Sequence, residues 1–447
     1  MNELLEDEEL YWGQRAKAHW LKEGDRNTNF FHTHASEKRK QNTILGVWDA
    51  HGRWCEEKET IAWATMDYFE NIYSTTFPTQ VEDVESIPTK VSEEMNESLS
   101  RAFTKEEMAT ALKQIHPTKA PRPNGMSTIF YQKYWSIVGN SVTNMVLNVL
   151  NNNLPMTEIN KTNISLIPKT SSPKKMTDFI PISLCNVIYK LISKTLANRL
   201  KNLLPFIISE NQSAFTLDRL IMDNVLVAFE LMHYLNHKTV RKEGYMAIKL
   251  DMSKAFDRVE WGFIKRVMEK LGFCSKWVSL IMQYITSISY SVLINKAAYG
   301  NIIPSRGLHQ GDPLSPSLFL LCAEGLSAII HEAARNHLLT SISISRSCPN
   351  ITHLFFVDDS ILFCKVKPED CQELKQIFWR YEDALGQKIN IDKSSMFFNP
   401  NTHQDTRDAI FAILGSMQDL RHSKYLGLSS FIRRSKKQVF SILKEWV

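Results

Sequence analysis

Three aspartates stand beside apolar runs, in positions where they could hold metal ions. Asp251 follows the run YMAIKL, and the adjacent Asp358 and Asp359 stand between the runs HLFFV and SILFC. Placing acidic side chains between buried strands costs free energy unless something offsets their negative charge, and a divalent cation does so. Three carboxylates from two strands can hold two Mg²⁺ ions, or Mn²⁺ in their place, against a triphosphate. These residues therefore predict metal-assisted phosphoryl transfer, which depends mainly on positioning and charge neutralisation.

A bare Asp-Asp pair has a simpler interpretation. Such a pair more often lies in a solvated turn or caps a helix than binds a metal ion. Here both flanks are strongly apolar, which a solvated turn does not require, and Asp251 supplies a third acid from a separate strand. The metal-binding interpretation is therefore favoured.

Phe256 and Asp257, which follow Asp251 in the chain, could also belong to this site. Phe256 could press its ring against the sugar C2′ position of a bound nucleotide and exclude a 2′-hydroxyl, although an ordinary core phenylalanine is the alternative. Asp257 could be another metal ligand, but at six residues beyond Asp251, the acid at the strand end, it is expected to cap the following helix.

Composition indicates a globular protein with local basic patches. With 447 residues the chain predicts two or three subdomains, and 43% apolar and 23% charged residues are ordinary for a soluble protein. The net charge of +5 is small, but residues 161–202 carry eight Lys or Arg against one acid, and residues 421–447 carry seven against one. Such patches suit a polyanionic partner or form solvated helix faces.

Cysteine spacing and the N-terminus limit the cellular setting. The seven cysteines include no C-x-x-C pair, so neither a zinc site nor a disulfide framework is expected. The acidic start MNELLEDEEL lacks a signal pattern, and we expect no membrane-spanning segment and no membrane partner. The prediction is an intracellular protein of the cytoplasm, the nucleus or both.

Periodicity predicts a mixture of helices and strands. Thr104 and Glu107 have the spacing of a capping box, which marks a helix start. Other apolar repeats predict the following elements: helices at about 127–152, 187–204, 222–235, 261–271, 315–336 and 368–386; strands at 162–169, 245–250 and on both sides of Asp358-Asp359; and hairpins at 46–60 and 288–305, the second with its turn near 296–300.

The order of several motifs resembles that of a reverse transcriptase. IKLDMSKAFD, RGLHQGDPLSP, FFVDDSILF, LGQKINIDKS and KYLGL resemble motifs A to E of that family, in the right order. LIPK, FIPISLCNVIYKLISKTLANRL, ENQSAF and WLKEGDRNTNFFH resemble the non-LTR, LINE-type retrotransposon class, particularly that of plants. The resemblance covers nearly the whole chain, and the motifs are specific only in combination.

This resemblance implies an α+β, right-hand polymerase fold. Residues 1–100 would form a helical and linker region before the polymerase, and residues 101–239 the fingers with an N-terminal extension. Residues 240–400 would form the palm with part of the fingers, as an antiparallel sheet with helices behind it. Residues 401–447 would begin a truncated thumb, so that the chain would be a fragment of a longer polyprotein.

The resemblance also implies an activity and the residues that perform it. The activity would be RNA-directed DNA polymerisation on an RNA template and a DNA primer, with deoxynucleoside triphosphates as substrates. Asp251, Asp358 and Asp359 would be the catalytic metal ligands, and Phe256 would select the sugar. The remaining implied contacts are Arg306, Gln310 and Gly311 beside the nascent base pair, Lys169 at the triphosphate, and Lys393 or the less favoured Lys388 as proton donor to pyrophosphate.

Several positions depart from the pattern of this family. Ile180 stands where arginine usually clasps the triphosphate, which removes a charge-assisted contact worth about 1.5–3 kcal/mol. Val357 replaces the usual alanine, a change that we expect to be sterically tolerable. The other departures are Arg122 and Asn124 for glycine and aspartate, Leu217 and Asp218 for proline and glycine, and His309 for arginine.

These departures leave three functions open. The first is an active reverse transcriptase domain from a lineage that has drifted. The second is a degenerate, catalytically inactive transposon fragment that keeps its fold and binds nucleic acid. The third, a metal-dependent nuclease, would leave Phe256 and the Gln310-Gly311 loop without an obvious use.

Overall fold

A computed structural model describes residues 28–78, 85–117, 125–238, 244–345, 347–422 and 424–429. The chain divides into two compact units, each built from separated stretches of sequence. The first unit comprises residues 1–74, 100–198 and 279–315, and the second comprises residues 75–99, 199–278 and 316–447. Helices and sheets occur in both units, which confirms the predicted α+β class.

Helices hold more residues than strands do in the described part of the chain. In the described part of the chain they are α1 (Thr28–Gln41), α2 (Lys58–Tyr73), α3 (Glu93–Ser100), α4 (Lys105–Gln114), α5 (Thr128–Lys133), α6 (Trp135–Asn152), α7 (Val187–Lys201), α8 (Leu204–Ile207), α9 (Ile221–His237), α10 (Trp261–Leu271), α11 (Ser275–Thr286), α12 (Ser315–Arg335), α13 (Pro368–Leu385) and α14 (Gln404–Leu414). Short 3₁₀ turns cover Met176–Asp178 and Leu420–His422.

The strands form two main sheets and two short hairpins. They are β1 (Val47–Trp48), β2 (Trp54–Cys55), β3 (Lys161–Pro168), β4 (Phe179–Leu184), β5 (Tyr245–Leu250), β6 (Ser289–Ile294), β7 (Ala297–Ile302), β8 (His353–Phe356), β9 (Asp359–Lys365), β10 (Ser395–Phe398), β11 (Gln418–Asp419), β12 (Lys424–Tyr425) and β13 (Leu428–Ser429). β1 pairs with β2 and β12 pairs with β13 as isolated hairpins.

The first unit contains a four-stranded sheet with the order β4-β3-β6-β7. β3 pairs antiparallel with β4 and parallel with β6, although residues 169–288 separate β3 from β6 in the chain. Alternate residues of β3, among them Ile164 and Leu166, are buried, which is the period-two pattern of a strand with one apolar face. This observation confirms the predicted strand at 162–169.

The second unit contains a five-stranded sheet with the order β11-β10-β5-β9-β8. β5 is its central strand and pairs antiparallel with β9 and with β10. One face packs against α9, where Ala228, Leu231 and Leu235 join Ala247 and Phe363 in a single buried cluster. The intervening residues of β5 are also buried, so the sheet is covered on both faces and holds its strand ends firmly.

Helix α12 is, by its length and composition, apolar enough to cross a membrane. The sequence had led us to expect no segment of this kind. It is the one such helix in the described residues, and 83% of its most apolar window is buried inside the protein. A Cβ atom on Gly325 would lie 2.9 Å from the Phe263 ring, so α12 packs closely against α10. These contacts make α12 a core helix of the second unit.

Some predicted elements differ from the structure. The capping box of Thr104 and Glu107 is confirmed, because each side chain accepts a hydrogen bond from the backbone N–H of the other residue. The helix predicted at 127–152 is broken at Tyr134, whose φ of −104° and ψ of 24° depart from helical values. The turn predicted near 296–300 lies at Asn295 and Lys296, which both have positive φ.

Asp257 does not cap the helix that follows it. Helix α10 begins at Trp261, and its N-cap residue is Glu260. The predicted capping role of Asp257 is therefore wrong; its side chain is buried in the turn between β5 and α10.

Gly386, in the segment LGQKIN, ends α13 in the left-handed region with a φ of 75°. A Cβ at this position would lie 2.8 Å from the Arg258 carbonyl oxygen. We therefore expect Gly386→Ala to lower the free energy of unfolding by about 2–3 kcal/mol, since it adds a backbone clash to an unfavourable φ. Urea denaturation followed by circular dichroism measures this loss.

Gly52 provides a matched control for this substitution. It has the same φ of 75°, but no atom lies within 4 Å of the position that a Cβ would take. Gly52→Ala should therefore cost only the conformational part, about 1 kcal/mol. Equal losses in the two variants would show that the contact with Arg258 contributes nothing.

Candidate active site

The second unit brings Asp251, Asp358 and Asp359 to the same end of its sheet. β8 and β9 form the two strands predicted around the Asp-Asp pair, and Val357-Asp358 is the loop between them. β5 pairs with β9 up to Leu250 and Ser360, so that Asp251 and Asp359 are the next residues on neighbouring strands. Opposed residues on such strands have Cβ atoms about 4.5–5.5 Å apart.

The carboxylates are close enough to affect one another. Burial raises the pKa of Asp358, and the negative charges of Asp359 and Asp251 raise it further, whereas Lys249 lowers it. Asp358 still has solvent access at the tip of the hairpin, so its carboxyl group is crowded without being enclosed. The raised pKa therefore indicates negative charge that the surrounding protein compensates only in part.

Lys249 is a cation beside these carboxylates. Its Nζ lies 3.4 Å from Oδ1 of Asp359 and donates a hydrogen bond of 2.7 Å to the Lys424 carbonyl oxygen. Lys249 was not predicted from the sequence, because it stands inside an apolar strand, where a lysine has no motif of its own. The alternation of side chains along β5 could have identified Lys249, because residues two apart in a strand lie on the same face, and Lys249 stands two residues before Asp251.

The three carboxylates have the chemistry that a magnesium site needs. In the described residues, no three His, Cys, Asp or Glu side chains are already arranged around a point that a metal ion could take. The donors nevertheless suit Mg²⁺, since all are hard carboxylate oxygens and since Asp358 carries charge that a divalent cation would offset. The residues therefore fit the metal that the sequence analysis expected.

The backbone of Asp251 is fixed by the turn before β10. Its N–H donates to Oγ of Ser394 at 3.1 Å, and its carbonyl oxygen accepts from the N–H of Asn390 at 2.8 Å. Lys393 belongs to this turn, with its side chain exposed. Lys388 is also exposed, and its carbonyl oxygen accepts from the N–H of Ser253 at 2.8 Å.

Phe256 is held in the turn that follows Asp251. Its ring is half-buried and stacks on Phe319 of α12, with centroids 4.6 Å apart and an angle of 17° between the planes. Nε2 of the buried Gln387 donates to the carbonyl oxygen of the adjacent Ala255 at 3.0 Å. The ring is therefore braced by Phe319 and by the fixed backbone of Ala255.

The Gln310-Gly311 loop belongs to the first unit. Gly311 is exposed, has a φ of 97°, and has no atom within 4 Å of the position that a Cβ would take. The backbone conformation, which L residues rarely adopt, is thus what requires glycine here. The loop is anchored at its start, where the Gln310 carbonyl oxygen accepts from the N–H of Ser183 at 3.2 Å.

Asp312, which the sequence analysis did not single out, anchors the other end of this loop. Its Oδ2 accepts a hydrogen bond of 2.8 Å from Oγ of Ser193, and also accepts from the backbone N–H groups of Leu314 and Ser315 at 3.0 and 3.2 Å. These bonds cap the first turn of α12 and tie the loop to α7.

His309, which replaces the usual arginine, is buried beneath the loop. The pKa of His309 is lowered to about 4, mainly by burial; the charge of Asp312 acts in the opposite direction, and the charge of Lys190 adds to the lowering. The ring stacks on Tyr189 with centroids 5.3 Å apart, and Nδ1 lies 3.3 Å from Sγ of Cys185. His309 is therefore neutral at physiological pH and cannot supply the charge of an arginine.

Arg306 and Lys169 are both engaged within the first unit. The buried guanidinium group of Arg306 donates to the Ile72 carbonyl oxygen at 2.7 Å, at the C-terminal end of α2, so a nucleotide contact would require this bond to be given up. Nζ of Lys169 donates to the Thr177 carbonyl oxygen at 2.9 Å. Ile180 lies opposite Ile167 in the sheet and has no side-chain donor.

The candidate residues therefore divide between the two units. The second unit holds Asp251, Phe256, Asp358, Asp359 and Lys393, and the first holds Lys169, Arg306, Gln310 and Gly311. Of the departures from the family pattern, residues 122 and 124 lie outside the described part of the chain, as does most of the basic stretch at 421–447.

Val357 is more constrained than its position in the sequence suggested. Its φ is 58°, in a region that β-branched residues rarely adopt. That valine is sterically tolerable here stays a prediction; the second branch at Cβ adds to the strain that a positive φ imposes on any L residue.

Comparison with known proteins gives a family match. Residues 167–429, more than half of the chain, match the family model described as reverse transcriptase (RNA-dependent DNA polymerase). The Transposon TX1 uncharacterized 149 kDa protein of Xenopus laevis is 26% identical over 388 residues, which are 85% of this chain and 29% of that protein.

Two further relatives match shorter parts. The Retrovirus-related Pol polyprotein from type-2 retrotransposable element R2DM of Drosophila melanogaster is 26% identical over 303 residues, 67% of this chain and 27% of that protein. An uncharacterized mitochondrial protein of Arabidopsis thaliana is 50% identical over 68 residues, 15% of this chain and 56% of that protein. The chain thus spans less than a third of the two transposon proteins.

The pKa of His309 makes a pH dependence of stability measurable. Because its pKa falls from about 6.5 in the unfolded chain to about 4 in the folded chain, the unfolded state binds the proton first as pH falls. The neutral ring therefore contributes stability above pH 6.5 that is lost between about pH 6.5 and pH 4. We expect His309→Gln to reduce this loss, by up to about 3 kcal/mol, in denaturation curves measured across that range.

His51→Gln is the control, because His51 is an exposed histidine of the first unit. The stability of the His51→Gln variant should change with pH as that of the unchanged chain does. A loss of stability on acidification that is the same in His309→Gln and in the unchanged chain would contradict a neutral, buried His309.

Proposed function

The chain belongs to the reverse transcriptase (RNA-dependent DNA polymerase) family, and on that premise we propose that it extends a DNA primer by copying an RNA template. Deoxynucleoside triphosphates would be the substrates, and the primer 3′-hydroxyl the nucleophile. The observation that carries the proposal is the β5–β9 register, which brings Asp251 beside the Asp358-Asp359 hairpin at one end of a covered sheet.

In this proposal Asp251, Asp358 and Asp359 hold two Mg²⁺ ions, or Mn²⁺ in their place. Bound there, the metal would neutralise the triphosphate and favour deprotonation of the 3′-hydroxyl. The protein's own part is to keep its carboxylates converged against their repulsion. Lys249 offsets one of these charges, since its Nζ lies 3.4 Å from Asp359.

Other residues would orient the nucleotide and the template. The braced Phe256 would lie against the sugar and exclude a 2′-hydroxyl. Gln310 and the exposed Gly311 would approach the nascent base pair, with Arg306 supporting them from beneath or contacting the nucleotide after release from α2. Lys169 would contact the triphosphate, and Lys393, in the turn that fixes Asp251, would protonate the pyrophosphate.

The domain assignments extend this proposal. The second unit would supply the palm and the first unit the fingers, with the thumb beginning after about residue 400. The motifs ENQSAF and FIPISL and the Pol relatives favour the non-LTR class, and the Arabidopsis match agrees with a plant LINE-type element. An element of this class works inside the cell, in the cytoplasm, the nucleus or both.

Asp358→Asn tests the proposed metal site. The amide keeps the shape of the side chain but removes its charge, so we expect primer extension on poly(rA)/oligo(dT) with Mg²⁺ to fall about a thousandfold or more. Binding of the primer–template, measured by fluorescence anisotropy, should change by less than about threefold, since most of that affinity comes from phosphate contacts.

Asp67→Asn is the matched control, because Asp67 is an exposed aspartate on α2. It should extend the primer at the rate of the unchanged chain. If the unchanged chain makes no more product than Asp358→Asn, this chain is not a polymerase.

Phe256→Ala tests the sugar selection. Removing the ring opens the volume that a 2′-hydroxyl would occupy, so we expect the ratio of kcat/KM for a deoxynucleotide to that for the ribonucleotide to fall about a hundredfold. Single-nucleotide incorporation of dTTP and UTP measures both constants. Phe206→Ala removes an exposed ring of α8, 68% accessible, and should leave the ratio unchanged. An unchanged ratio in Phe256→Ala would make Phe256 a packing residue only.

A further inference from the structure

We propose that Gln212, in the segment ENQSAF, is the positioning residue that holds the Asp358-Asp359 hairpin in its strained conformation. The inference rests on the proposed polymerase function for its kinetic meaning, but its structural part stands independently.

The segment around Gln212 lies along the edge of β8. The N–H of Phe355 donates to the Asn211 carbonyl oxygen at 2.7 Å, and the N–H of Ser213 donates to the Phe355 carbonyl oxygen at 3.2 Å. Gln212 and Phe355 thereby form a parallel bridge. Nδ2 of Asn211 adds a bond of 2.8 Å to the His353 carbonyl oxygen. The segment is therefore fixed to the strand that leads into the hairpin.

The Gln212 side chain continues from this edge to the loop itself. Its Oε1 accepts from the N–H of Val357 at 3.2 Å and from the N–H of Ala214 at 3.0 Å. Both partners are backbone donors, which identifies the atom facing them as the amide oxygen. The residue is only 2% exposed, so water does not readily replace this acceptor.

Arg219 holds this segment from the other side. Its guanidinium group donates to the carbonyl oxygens of Gln212 at 2.6 Å and of Ile208 at 3.0 Å, and also to those of Pro205 and Ser209. Because one planar guanidinium group binds four backbone carbonyl oxygens, the backbone around Gln212 has little freedom to move. The acceptor that faces Val357 is thus fixed in position.

The loop requires such a restraint. In a two-residue hairpin, positive φ at the first loop position is the conformation for which glycine is preferred. Val357 has a φ of 58°, and its β-branched side chain makes this conformation strained. Relief of the strain would change φ of Val357 by rotating the peptide between Phe356 and Val357, and would thereby shift the Asp358 carboxylate that follows. Gln212 opposes this rotation because that peptide carries the Val357 N–H, and its rotation would break the hydrogen bond to Oε1 of Gln212.

The first test is the exchange rate of the Val357 amide hydrogen in the metal-free chain. We expect it to be protected in the unchanged chain and to exchange at least about tenfold faster in Gln212→Met, which keeps the side-chain length but removes the acceptor. Ser213→Ala is the matched control: it alters the neighbouring residue of the same segment, whose side chain faces Asn224, and should leave the exchange unchanged. Rapid exchange in the unchanged chain would overturn the proposal without any variant.

The second test is rescue. Gln212→Met should lower kcat for primer extension about tenfold or more while KM for the nucleotide changes by less than about threefold, because the carboxylates and not the substrate contacts are displaced. Adding Val357→Gly should restore at least about a third of the lost kcat, since glycine adopts the positive φ without restraint.

A general loss of stability would not be repaired in this way. The proposal is overturned if kcat of Gln212→Met stays within about threefold of the unchanged chain, or if Val357→Gly restores nothing in the double variant. If Gln212→Met fails to fold, the double variant Gln212→Met/Val357→Gly and the amide exchange of the unchanged chain decide. If the unchanged chain has no polymerase activity, the proposed function fails, and the exchange measurements alone decide the role of Gln212.

Discussion

Repulsion between carboxylates is the constraint that the second unit must satisfy. Asp358 is exposed at a hairpin tip, yet its pKa is raised by its surroundings and by the two neighbouring aspartates. Such a group separates from its neighbours unless the backbone on every side is fixed. The antiparallel pairing of β5 with β9, buried on both faces of the sheet, provides this fixation in the region where the charges meet.

The same constraint explains the hydrogen bonds around the site. Each strand end that carries an acid is secured by a different segment: Ser394 and Asn390 hold the backbone of Asp251, and Gln212 accepts from the residue before Asp358. Lys249 compensates charge directly. These contacts are hydrogen bonds to main-chain atoms and an ion pair. Side chains of common types can in this way hold the residues of a functional site in position.

Sequence alone predicted the features that depend on neighbouring residues. Apolar runs predicted β5, β8 and β9, and the acids that they carry, because strand pattern and strand end are local properties. It could not predict that Arg306 is occupied by the end of α2, or that Gln212 reaches Val357, because such contacts join residues far apart in the chain. Even a local feature was missed at Val357, where alternation indicates a hairpin but not the sign of φ.

The parallel pairing of β3 with β6 has a consequence for biosynthesis. β3 and its hairpin partner β4 are complete long before Ser289–Ile294 is translated, and the edge of β3 that β6 covers stays open in the meantime. Open strand edges with an apolar face are sites of intermolecular association. The nascent chain can therefore associate with other chains through this edge until β6 has been translated and covers it.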